Sequence, residues 1–134
     1  MTVANVSTLS DAEVVAKTLD GEAGNQGYRG QKAVANVIMR RAQLGWQGEK
    51  TLRGVCLHPK QFSCWDIGPD LDRIMAGTNP QCMSLALLAL ANNLPDITNG
   101  ADSYQVRGTN AYWSQGLTPV ASIGAHDFYI TRKA

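Results

Sequence analysis

Helical periodicity stops at Pro95. Before it, apolar residues recur at three- and four-residue spacing in several windows; after it, short β-branched and aromatic runs alternate with turn residues. A chain that gathers its helices first and its strands last is confined to an α+β arrangement, a helical core with a small antiparallel sheet in the C-terminal third. The first helix is predicted from Asp11 to Ala23. Ser10-x-x-Glu13 opens it as a capping box, and Val14, Val15, Thr18 and Leu19 follow helical spacing. Gly24 and Gly27 are expected to end it in the left-handed conformation. A second helix is expected from Arg29 to Leu44, stopped by Gly45, and a third from Pro80 to Asn92, with Thr78 or Asn79 as cap. The third, "CMSLALLALANN", is apolar nearly all round and is expected to be central. Between Gly45 and Gly77 the spacing predicts loops and one short helix near Thr51 to Val55. The strands are expected within "DSYQVRG", "YWSQGLTPVASIG" and "HDFYITRK".

Composition narrows the function classes. A net charge of +1 over 134 residues gives no basic footprint for nucleic acid, and the adjacent pairs Arg40-Arg41 and Arg132-Lys133 read as solvated surface. The longest apolar run, Leu85 to Ala91, is too short to cross a membrane, so no stable membrane insertion is expected. The first residues lack the basic start and apolar block of a signal peptide, which predicts synthesis in the cytoplasm. Three cysteines are no disulfide framework, and the simplest bridge would join Cys56 to Cys64. With His58 and His126 they show no zinc spacing, so neither metal nor cofactor is expected.

One carboxylate stands out. Glu22 follows Leu19 by three residues, Thr18 by four and Val15 by seven, which puts it on the apolar face where its helix stops. Burial there raises a carboxyl pKa and keeps a proton available near neutral pH, as a general acid requires. The structural alternative is a cap on a neighbouring helix or an ion pair with Arg29 or Arg40. Gly21, Gly24, Gly27 and Gly30 surround it, either as a turn or to let a bulky ligand approach the backbone.

The segments "DGEAGNQGYRGQKAVANVIMRR", "LRGVCLHPKQFSCW", "GADSY" and "IGAHDFY" occur in that order between Thr8 and Tyr129. Together they resemble the cell-wall hydrolase family of the spore-cortex-lytic enzymes and several phage lysins. The resemblance implies a lysozyme-like helical core and cleavage of the glycan strands of peptidoglycan by lytic transglycosylation. It implies Glu22 as the catalytic acid. It places Gln61, Phe62, Ser63, Trp65, Tyr104 and His126 as substrate-binding residues, with Gly124, Phe128 and Tyr129 in the last motif. Many members carry a basic residue after G-E-A where this chain has Gly24, which leaves the acid intact but removes a neighbouring charge. The expectation is one catalytic domain over residues 1–134, with about the first eight as an arm. A monomeric endolysin, admitted to the periplasm by a holin, fits the missing leader.

Three alternatives stay open. A hydrolytic muramidase normally uses a second carboxylate, for which Asp20, Asp66 and Asp127 are the candidates. A Cys64 nucleophile with His126 as base would make an amidase or peptidase. A module that keeps the fold but only binds peptidoglycan needs no buried acid. Trp65, Tyr104, Tyr112 and Trp113 could stack on sugars, although core packing is the default for such residues.

Overall fold

The computed structural model describes residues 6–132. Five α-helices precede a three-stranded sheet among these residues, the α+β class expected from the sequence. Helix α1 spans Asp11–Ala23, α2 Gly27–Leu44, α3 Leu52–Leu57, α4 Pro69–Met75 and α5 Pro80–Leu90.

The capping box at α1 forms as expected: Ser10 Oγ accepts from the Glu13 amide at 3.1 Å and the Ser10 amide donates back to Glu13 Oε1 at 2.9 Å. Gly24 does not take the left-handed conformation predicted for it; its φ is −56°, and the left-handed residue of this junction is Gly27 at φ 75°. Gly45 does stop α2 in that conformation.

The stretch expected to be loop holds α4 as well as α3. Its signals are present in sequence: Pro69 at the first turn, Asp70 and Asp72 at the positive end of the helix dipole, Arg73 at the negative end. The buried Lys17 of α1 anchors its far end, with Nζ donating to the carbonyls of Ile74 and Gly77 at 2.8 Å each.

Helix α5 is less central than its composition predicts. It buries Cys82, Leu85, Ala86 and Ala89 against α1 and α2, and exposes Leu87, Leu88 and Leu90. Two neighbours cover one side of a cylinder, and an apolar opposite face then stays in water whatever its hydropathy.

Strands β1 (Ser103–Val106), β2 (Ala121–Ile123) and β3 (His126–Tyr129) form an antiparallel sheet in the order β1-β3-β2. The main core lies among the helices, with Val14, Val15, Leu19, Val34, Ile38, Ile74 and Leu85 fully buried. A smaller core of Ala33, Val37, Ala101, Ile123 and Phe128 fastens the sheet to α2. The register opposes Tyr104 to Phe128, and this turns β1 toward the end of α1. The expected N-terminal arm falls partly outside the described residues. Val6 to Leu9 are tied down, since Arg53 donates to the carbonyls of both Val6 and Leu9.

Candidate active site

Glu22 sits in the last turn of α1, half-buried, at the base of a cleft of about 480 Å³. Arg41, Trp46, Gln61, Phe62 and Tyr104 line the same cleft. The Tyr104 hydroxyl, on β1, donates to Glu22 Oε1 at 2.8 Å. Helix and sheet thus meet at the carboxyl group, which is neither a helix cap nor paired with Arg29 or Arg40.

Burial raises the Glu22 pKa above the ordinary carboxylate value. Hydrogen bonds from Tyr104 and Cys64 and the charge of Arg41 pull the other way, and burial outweighs them. The negative end of the α1 dipole adds to the cost of ionisation. Tyr104→Phe removes a hydrogen bond that favours the charged form. The alkaline limb of the pH–rate profile is therefore expected to move to higher pH, and its movement to lower pH would contradict this assignment. The profile of kcat/KM is the measurement.

Arg41 is the main site residue that the sequence reading missed. Expected as solvated surface, it is buried, with Nε donating to the Asp102 carbonyl at 2.7 Å and Nη1 to Gln61 Oε1 at 3.2 Å. Its guanidinium lies over Trp46 and Phe62, at 4.7 and 5.7 Å from the ring centroids. It joins α2, the Gln61–Phe62 wall and the entry to β1. Trp46, in the 3₁₀ turn after α2, and Lys60 also line the cleft without having been singled out in sequence.

The sequence-predicted residues divide. Gln61, Phe62 and Tyr104 line the cleft with Glu22, and Trp113 closes one side, edge-on to Tyr129 at 5.3 Å. Ser63, Trp65 and His126 do not line it. Ser63 is exposed at the start of the 3₁₀ turn Ser63–Trp65. Trp65 faces the other side of the Phe62 wall: its Nε1 donates to Thr18 Oγ1 at 2.9 Å, and it lines a neighbouring apolar cavity with His58, Asp66 and Ile67. His126 packs behind Tyr104, ring centroids 5.0 Å apart and edge-on, with Nδ1 buried and without a partner among the described residues. Burial and Arg107 hold its pKa below the usual histidine value. Tyr112 is almost fully exposed.

The candidate second carboxylates lie elsewhere. Asp20 pairs with Arg73 at 3.1 Å, and Asp127 pairs with Arg107 at 3.0 Å and accepts from Ser122 at 2.7 Å. Asp66 lines the apolar cavity. Among the described residues that line the cleft, Glu22 is the one carboxylate. Cys56, Cys64 and Cys82 are free and buried, so Cys56 and Cys64 form no bridge. Burial, together with the nearby Glu22, pushes the Cys64 thiol well up, the reverse of what a nucleophile needs. The described residues contain no group of side chains that could hold a metal ion.

Comparison with known proteins fits this geometry. The family model for Cell Wall Hydrolase matches residues 25–129. The chain belongs to the cell wall hydrolase family. The matched span begins at residue 25 and does not include Glu22. Two solved structures are similar to this cell wall hydrolase. One is the catalytic domain of the Bacillus cereus SleB protein, with 27% identity, 89% of this chain and 88% of that chain covered, and a TM-score of 0.72. The other is the catalytic domain of the germination-specific lytic transglycosylase SleB from Bacillus anthracis, with 26% identity, 91% and 97% covered, and a TM-score of 0.72. No curated protein matches the hydrolase.

Proposed function

We propose that this cell wall hydrolase cleaves the β-1,4 bond between N-acetylmuramic acid and N-acetylglucosamine in peptidoglycan, as a lytic transglycosylase with Glu22 as both acid and base. The observation that carries the reading is the half-buried Glu22 carboxyl, raised in pKa and hydrogen-bonded by Tyr104 at 2.8 Å, as the lone carboxylate among the described residues lining the cleft. The similarity to a germination-specific lytic transglycosylase supports it.

Glu22 Oε1 accepts from Tyr104, and in the proposed route the other carboxyl oxygen, Oε2, carries the acidic proton. That proton passes to the glycosidic oxygen as the bond to the muramyl anomeric carbon breaks. The muramyl 6-hydroxyl attacks that carbon, and its proton returns to the Glu22 carboxylate. The product is a 1,6-anhydromuramyl end, no water is consumed, and the acid is regenerated. A hydrolytic route normally uses a second carboxylate near the bond to activate water, and Asp20, Asp66 and Asp127 are engaged or placed elsewhere. Gln61 offers hydrogen bonds to the sugar, while Phe62, Trp46 and Trp113 offer faces for stacking.

The test is release of soluble muropeptides from purified, dye-labelled sacculi. Release that depends on Glu22 is expected. Tight binding to sacculi without release would make the chain a binding module and overturn the reading.

The setting we propose is a phage endolysin, made in the bacterial cytoplasm and acting on the wall once a holin opens the membrane. Its support is the resemblance to phage lysins. Cell fractionation tests it: the chain is expected to stay inside intact cells, and export without a pore former would contradict it.

A further inference from the structure

The cleft has an electrical asymmetry that bond cleavage does not use. Beyond Glu22 it is walled by Arg41 and Lys60. The exposed Arg132 adds a third cation, its guanidinium 3.8 Å from the centroid of the Trp46 ring that lines the cleft. None of the ion pairs among the described residues includes Arg41, Lys60 or Arg132. The carboxylate of Asp102, which precedes β1, is already occupied. Its Oδ1 accepts from Ser103 Oγ at 2.9 Å and Thr131 Oγ1 at 2.7 Å, and its Oδ2 accepts from the Arg132 amide at 3.0 Å. Asp102 therefore fixes the backbone that sets Arg132 on Trp46, and does not neutralise the side chain.

Lys60 is exposed, and its backbone conformation is specific. It holds φ at 66°, a left-handed conformation that non-glycine residues seldom adopt, at the turn leading into Gln61. Two guanidinium groups near one indole repel each other; burial is the main cause that lowers the Arg41 pKa, the charge of Arg132 adds to it, and Asp102 and Glu22 oppose it. An anion between them and Lys60 relieves that repulsion.

We propose that this end of the cleft binds a free carboxylate of the peptide stem carried by the muramyl residue, so that the enzyme prefers peptide-bearing, anionic glycan strands. The proposal rests on the reading of Glu22 as a glycan-cleaving acid. The anion must be tethered to the glycan, because the cations share a cleft with Glu22. A phosphodiester polymer attached at the muramyl 6-position is the other anion of a cell wall. It blocks the hydroxyl that must attack, so a residue carrying it cannot form the anhydro ring. The stem carboxylates leave that hydroxyl free.

The experiment compares soluble, peptide-bearing glycan fragments with the same fragments after carbodiimide coupling to ammonia, which turns the stem carboxylates into neutral amides. Wild-type enzyme is expected to show kcat/KM about tenfold higher on the anionic fragments, mostly through KM, as charge-assisted hydrogen bonds of this kind supply. The preference is expected to shrink as salt rises, and to fall toward one in Arg132→Gln and, independently, in Lys60→Gln. Equal rates on the two substrates, or a preference that survives in both folded variants, overturns the proposal and leaves the role of Glu22 standing. Cleavage of neither substrate by the wild type overturns the Glu22 reading and the proposal with it.

Discussion

Glu22→Gln is expected to lower glycan cleavage by about 10³- to 10⁴-fold, at the upper end of what a positioned general acid contributes, because no other carboxylate lines the cleft among the described residues. The substitution keeps the size of the side chain and an oxygen that accepts from Tyr104. Loss of activity with an intact fold is therefore the expected pattern. The stability change has a definite sign. The folded-state pKa of Glu22 is raised, so the folded protein favours the protonated form. The contribution of that form is fully present below the ordinary carboxylate pKa and is lost as pH rises through the raised value. Gln mimics the protonated form at every pH. The variant should match the wild type in thermal melts at acidic pH, and equal or exceed it at neutral pH. A variant that is inactive because it melts far below the wild type at neutral pH would show that Glu22 is structural.

The second large effect is on packing beside the acid. Gly21 immediately precedes Glu22, and a Cβ there would fall on the Cys64 side chain, 2.7 Å from its Sγ. The turn Ser63–Trp65 fills the space that this glycine leaves. Gly21→Ala gains about 1 kcal/mol of helix propensity, but must push Cys64 away from α1 or distort the turn that carries Glu22. Overpacking of this kind costs about 1–3 kcal/mol, and the severity of the overlap puts this site at the upper end. A melting temperature lower by about 5 °C is expected, together with reduced activity, since Phe62 and Gln61 lie on the displaced segment. Gly77→Ala is the control: a Cβ there meets nothing within 4 Å, and unchanged or raised stability is expected. If the two variants melt alike, the close approach of Cys64 to α1 is wrong.

These two sites show what was legible in the chain and what was not. Spacing placed Glu22 three, four and seven residues after Leu19, Thr18 and Val15, and the structure has it half-buried where that face ends. The same offsets place Arg41 after Ile38, Val37 and Val34. An adjacent arginine pair suggests surface, although only Arg41 of the two is buried. A charge on an apolar face is informative whatever its sign. Helix α4 was hidden by its length and by Pro69 and Gly68, which read as loop residues until Pro69 is recognised as an N-terminal helix residue. The exposed leucines of α5 were not legible, because hydropathy reports what a helix could bury and not how many neighbours reach it. Trp65 and Tyr104 could not be separated in sequence either. Both belong to aromatic motifs, and only the strand register and the Thr18 hydrogen bond turn one toward Glu22 and the other away.

The most direct measurement is mass spectrometry of the muropeptides released from purified peptidoglycan, with and without borohydride treatment. Glycan ends about 18 Da lighter than reducing muramic acid, and unchanged by borohydride, are the expected products of one carboxyl group returning its proton through the muramyl 6-hydroxyl. Reducing muramic acid ends, converted by borohydride, would show that water is the nucleophile and would contradict Glu22 acting alone.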